Sequence, residues 1–144
     1  MTKGIVIVGW PGIGKTELVK KTKGWIELET NGVPTLLILE RLQHAIAKGQ
    51  NVLLPIRLKL RDALSEAGID YTLVVPSRDL KSDYIHRLIK RGEQGKVVFE
   101  VEKNWDIWMD SCLGEPCFNI LTMPRSGDYL SDYIPEIMAK YEQA

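Results

Sequence analysis

Short, continuous apolar runs alternate along the chain with segments whose apolar residues recur every three or four positions. A strand covered on both faces reads as an unbroken apolar run, whereas the three-to-four spacing marks a helix with one buried face. The pattern predicts strands at Gly4 to Val8, Trp25 to Leu28, Asn51 to Leu54, Tyr71 to Val75 and Phe118 to Thr122. Between them it predicts helices over Lys15 to Lys23, Pro34 to Lys48, Ile56 to Ala67 and Leu80 to Arg91. The second opens on proline and ends before Gly49, the third stops at Gly68, and Asp79 is a candidate N-cap for the fourth. In the third helix Ile56, Leu60, Ala63, Leu64 and Ala67 share a face, which leaves Arg57, Lys59 and Arg61 on the solvated side.

Val98, Val101, Trp105, Met109 and Cys112 continue at helical spacing, so the tryptophans there read as core rather than as a platform for stacking bases. Towards the C-terminus Leu130, Tyr133, Ile137 and Tyr141 fall in helical order, but Pro135 lacks a backbone donor and divides the segment into two short helices. Strands alternating with helices in this way predict an α/β protein with a parallel sheet.

Composition narrows the picture. A length of 144 residues fits one domain, residues 1–144, with one core. Nineteen basic residues balance nineteen acidic ones, which argues against a surface made for broad binding to nucleic acid or membrane. Cys112 and Cys117 are too few for a disulfide framework, and their spacing, without further Cys or a nearby His, is not that of a zinc site. Both read as packing residues. With no leader and no long apolar span, the expected compartment is the cytoplasm.

The candidate chemistry begins right after the first strand. Gly9-Trp10-Pro11-Gly12-Ile13-Gly14-Lys15-Thr16 is a complete G-x-x-x-x-G-K-[ST] loop, with Glu17 opening the helix beyond it. Glycines in such a loop let backbone N–H groups turn inward around an anion, and the helix that follows adds its positive end. Lys15 then reaches the β- and γ-phosphates of ATP, and the Thr16 hydroxyl ligates Mg²⁺. A dinucleotide fingerprint is not present, because Glu17 stands where its last glycine belongs.

Phosphoryl transfer depends on positioning and on neutralising the charge of the transferring group, so arginines and carboxylates near the loop matter most. Arg87 and Arg91 lie four apart on one helix, next to the flexible Gly92. Arg78 and Arg57 follow the fourth and third strands, at the carboxyl edge where ligands bind in open α/β sheets. Glu27 and Glu29 alternate onto one face of the second strand, with Glu29 at its end beside Thr30-Asn31-Gly32. The third strand ends Leu53-Leu54-Pro55 without an acid, which makes Glu29 the leading candidate for that role. His44 and His86 sit on polar helix faces and read as solvated or structural.

The loop resembles the G-x-P-G-x-G-K-[ST] form of small nucleotide kinases and polynucleotide kinases. Arg87-Leu88-Ile89-Lys90-Arg91-Gly92 is similar to the R-L-x-x-R-G segment leading into the lid of adenylate and uridylate kinase relatives. Leu53-Leu54-Pro55-Ile56-Arg57 is similar to their strand ending before a phosphate-binding arginine. The whole chain resembles short phage-type proteins of the nucleoside monophosphate kinase class, with Asn104-Trp105-Asp106 on a helix and Ser126 to Asp132 after the last strand.

This resemblance implies a three-layer P-loop NTPase fold, with a five-stranded parallel sheet, the loop on a central strand and a lid near residues 78–97. It implies transfer of the ATP γ-phosphoryl group to a nucleoside or deoxynucleoside monophosphate, in the host cytoplasm if the chain is phage-encoded. Gly9 to Glu17 would hold ATP, Thr16 the magnesium, and Lys15, Arg87, Arg91 and Glu29 would act in catalysis. Glu29, Arg57 and Arg78 would face the acceptor. Where those kinases carry an arginine-bearing helix after the lid, this chain reads Val101-Glu102-Lys103-Asn104-Trp105. Two alternatives stay open: a polynucleotide 5′-hydroxyl as acceptor, with Glu29 as base, or a module that binds ATP without turning it over.

Overall fold

The five apolar runs pair side by side. In a computed structural model that describes residues 3–142, they form β1 (Val6–Gly9), β2 (Trp25–Glu27), β3 (Asn51–Pro55), β4 (Thr72–Pro76) and β5 (Asn119–Met123). All pairs are parallel and the spatial order is β2-β3-β1-β4-β5, so β1 is central. Every residue of β1 and β4 is buried, as strands covered on both faces must be.

Register sets the position of the candidate site. Gly9 pairs with Pro55 of β3 on one side and with Val74 of β4 on the other. The chain therefore leaves β1 and β3 at the same carboxyl edge, with the end of β4 beside them.

Helices α1 (Lys15–Lys21), α2 (Thr35–Ala47), α3 (Leu58–Glu66), α4 (Lys81–Lys90), α5 (Gly95–Leu113) and α6 (Ile134–Glu142) flank the sheet, with short 3₁₀ turns at Arg78–Leu80 and Leu130–Tyr133. Pro135 is the second residue of α6, where its missing N–H costs no helical hydrogen bond, so it starts that helix rather than breaking it. The preceding 3₁₀ turn supplies the other short helix. Among the described residues no helix is long and apolar enough to cross a membrane.

One expectation changes. Arg61 is 2% exposed rather than solvated. Its Nε donates to the Ile56 carbonyl at 2.9 Å and Nη2 to Ser111 Oγ at 3.0 Å, while Nη1 lies 3.1 Å from Glu115 Oε1. Periodicity counted it as surface because it registers only the α3 face turned to the sheet, whereas α5 covers part of the other face. The segment 78–97, where a lid is expected, is unevenly buried. Tyr84 and Leu88 anchor α4 in the core, and the largely exposed part is the turn between α4 and α5 around Gly92.

Candidate functional site

The loop between β1 and α1 is held from below by its own apolar residues. Trp10 and Ile13 are completely buried, and Trp10 meets Trp105 edge to face with ring centroids 4.9 Å apart. The Trp10 backbone N–H donates to the Val74 carbonyl at 3.0 Å, tying the loop to β4. Gly14 adopts φ 101°, a left-handed conformation that a side chain would strain. At Gly9 a Cβ would come within 2.5 Å of Ile13 Cδ1 and 3.2 Å of Lys15 Cδ, so the glycine makes room for the lysine stem. The loop thus has its curvature built in.

Lys15 folds back over that curve. Its Nζ donates to the carbonyls of Gly9 at 2.7 Å and Trp10 at 3.1 Å. Burial lowers its pKa to about 8, Glu27 partly offsets this, and the Arg91 charge adds to the lowering. The ammonium is under-compensated by its surroundings.

At the next residue, Thr16 Oγ1 donates to Glu27 Oε1 at 3.1 Å. The acid beside the threonine is therefore Glu27, whereas Glu29 was the candidate expected there. Glu29 Oε1 instead accepts from the Asn31 N–H at 2.8 Å, closing the turn after β2. Strand alternation placed both acids on one face but could not say which of them faces the loop. Lys15, Glu27, Glu29 and Arg57 together line a cavity of about 370 Å³. Arg57 reaches across it to donate to the Thr30 carbonyl at 3.2 Å and to Asn31 Oδ1.

A second cavity, of about 490 Å³, lies against Gly14, Glu17, Lys21, Arg87, Arg91 and Tyr129. The two lid arginines expected to act together have different surroundings there. Arg87 is wedged between the rings of Tyr84 and Tyr129, 4.5 and 4.1 Å from their centroids. It donates to the Gly12 carbonyl at 2.8 Å and to the carbonyls of Ser126 and Asp128. Its donors are committed to bracing the loop. Arg91 is exposed and, among the described residues, pairs only with Glu93, at 2.7 Å. Arg78 turns to Asp106 and Asp110 on α5 and lines neither cavity, so it does not converge with the other two.

The segment after β5 completes the wall. Leu130 N–H donates to the Ile13 carbonyl at 2.8 Å, and Tyr129 packs against Gly14. Asp128, 7% exposed, accepts from Tyr133 OH at 2.6 Å and from the Arg125 backbone N–H and Nε. These bonds, the Tyr133 one foremost, hold its carboxyl below the ordinary aspartate range. Sequence reasoning assigned Tyr129 and Asp128 no role; their one signal was the polar run Ser126 to Asp132 following an apolar strand.

Among the described residues no group of three or more His, Cys, Asp or Glu gathers as a metal site. His44 and His86 are exposed. Cys112 and Cys117 are unpaired, and burial pushes the Cys112 thiol up to about 11, which suits a packing residue.

No family model matches the sequence, and none of the curated proteins does. Among solved structures the chain is similar to an uncharacterized protein from Eubacterium ventriosum ATCC 27560, with a TM-score of 0.56 and 12% identity. That match spans 99% of this chain and all of the other, and it supports a shared α/β fold with a five-stranded parallel sheet flanked by helices.

Proposed function

We propose that this chain is a kinase of the P-loop NTPase fold, transferring the γ-phosphoryl group of ATP to a nucleoside or deoxynucleoside monophosphate. The observation that carries the reading is a pair of cavities meeting at consecutive residues of one loop, Gly14 lining the first and Lys15 the second. Transfer between two nucleotides needs two binding spaces that join at a cation, so that both reactants are held in line.

The residues present fit the nucleotide and its metal ion. Lys15 is a desolvated ammonium that, among the described residues, has only carbonyls as acceptors, and a phosphate would supply the charge it lacks. The Thr16 hydroxyl and the Glu27 carboxylate offer hard oxygen ligands of the kind magnesium takes. MgATP supplies the phosphoryl group. Lys15 neutralises the charge on that group, Arg91 swings from Glu93 to do the same from the opposite side, and Arg57 holds the acceptor's phosphate. Glu27 orients the attacking oxygen or the metal shell, and Arg87 keeps the loop in shape.

The test is incubation with MgATP and a panel of ribo- and deoxyribonucleoside monophosphates, plus an oligonucleotide with a free 5′-hydroxyl, following ADP and phosphorylated product. Nucleoside diphosphate formation is the expected result. Product on the oligonucleotide alone would reassign the acceptor, and ATP binding without transfer to any acceptor would overturn the kinase reading.

A further inference from the structure

Trp105 and Trp108 lie one turn apart on α5 but in different surroundings. Trp105 is 1% exposed and belongs to the core. Trp108 is half-buried, stands edge-on to Trp10 with ring centroids 6.1 Å apart, and walls a third cavity of about 530 Å³ between α5 and the start of α3. Pro11 of the loop forms another wall, and Leu58 and Ile107 border it while 54% and 67% exposed. Large apolar side chains gathered round a hollow mark a binding site more often than ones scattered singly.

This hollow is not isolated. Pro55 and Arg57 line it and also line the cavity of Lys15, Glu27 and Glu29. An apolar space and a charged space thus adjoin through one guanidinium, which suits a ligand with an aromatic plane at one end and a phosphate at the other.

We infer that the hollow takes the nucleobase of the acceptor nucleotide, stacked on Trp108, with the acceptor's phosphate on the Arg57 side facing Lys15. The inference rests on the kinase reading and names where its second substrate sits. Stacking tolerates any base, because every base presents a π face, so the acceptor range is broad. Trp108 then serves as the stacking platform that periodicity alone assigned to the core.

The experiment compares adenosine and thymidine monophosphates with ribose 5-phosphate, which has the phosphate but no base. Binding to the full chain is measured by calorimetry, and the tryptophan indole N–H signals are followed by NMR. Two variants are used: Trp108→Leu, and Ile107→Gln at an exposed position where folding is safe. Both are expected to weaken monophosphate binding roughly tenfold, the scale of a lost stacking contact, while ribose 5-phosphate and ATP binding stay unchanged. Unchanged monophosphate binding in both variants, or an equal loss for ribose 5-phosphate, would overturn the assignment. If the native chain phosphorylates monophosphates and the variants keep its KM, only the base pocket falls. If the native chain neither binds nor phosphorylates them, the kinase reading falls with it.

Discussion

The Thr16 hydroxyl at the start of α1 donates to the Glu27 carboxylate at the end of β2, across 3.1 Å. Eleven residues separate the two. They meet because α1 carries the chain back along the sheet, and β2 returns it parallel to β3, one strand away from the loop. The contact puts an acid where β3 ends without one. Glu27→Gln is therefore expected to lower kcat by about 100-fold, the scale of a lost acid–base or metal-orienting group. Glu29→Gln, which only loosens the turn at Asn31, should act mainly on the acceptor KM. Steady-state kinetics with both substrates varied distinguishes the two, and a larger kcat loss in Glu29→Gln would return the role to that residue.

Lys15 ties the proposed activity to stability. Its pKa falls from 10.5 to about 8 on folding, so between those values the unfolded chain binds more protons and stability rises with pH. Below about 8 both states are protonated and the cost of burying the charge is constant. Lys15→Met is thus expected to be more stable than the native chain at pH 7, with the difference shrinking as pH rises from about 8 to above 10.5. Denaturant melts of the two proteins across that range check it. The same substitution should slow phosphoryl transfer by a factor on the order of 100 or more.

Arg87 and Arg91 should separate in kind. Arg87→Ala removes three charged hydrogen bonds, one to the Gly12 carbonyl of the loop and two to carbonyls of the segment after β5, so a stability loss of about 2 kcal/mol and a raised KM for ATP are expected. Arg91→Ala breaks one exposed ion pair, leaving the melting temperature nearly unchanged, and lowers kcat on the order of 100-fold. Thermal melts alongside kinetics decide it. A stable Arg87→Ala protein with an isolated kcat defect would show that Arg87 acts on the reacting group after all.

The buried Arg61–Glu115 pair predicts a stability effect away from the site. Glu115 also accepts from Tyr71 OH, and burial, followed by this bond, raises the tyrosine pKa. Arg61→Met alone strands the carboxylate and should cost about 3 kcal/mol or more. Arg61→Met with Glu115→Gln should recover much of that loss in a denaturant titration, because no unpaired charge is left.

Hydrophobic periodicity determined the order and type of the strands and α-helices, since apolar runs and helical spacing are local consequences of which faces must leave water. The loop from Gly9 to Thr16 was equally legible, because its glycines and lysine lie within eight consecutive residues. What sequence could not decide was the direction of long polar side chains. Glu27 and Glu29 share a strand face, Arg87 and Arg91 a helix face, and Trp105 and Trp108 adjacent turns, yet each pair divides between different tasks. Glu27 meets the loop and Glu29 a turn. Arg87 is held between two tyrosines and Arg91 is exposed. Trp105 fills the core while Trp108 borders a hollow. Those choices depend on which neighbour lies within 3 or 4 Å, and the partners of Glu27, Trp105 and Arg87 come from segments 11, 27 and up to 75 residues away in the chain. Tertiary packing alone brings them there.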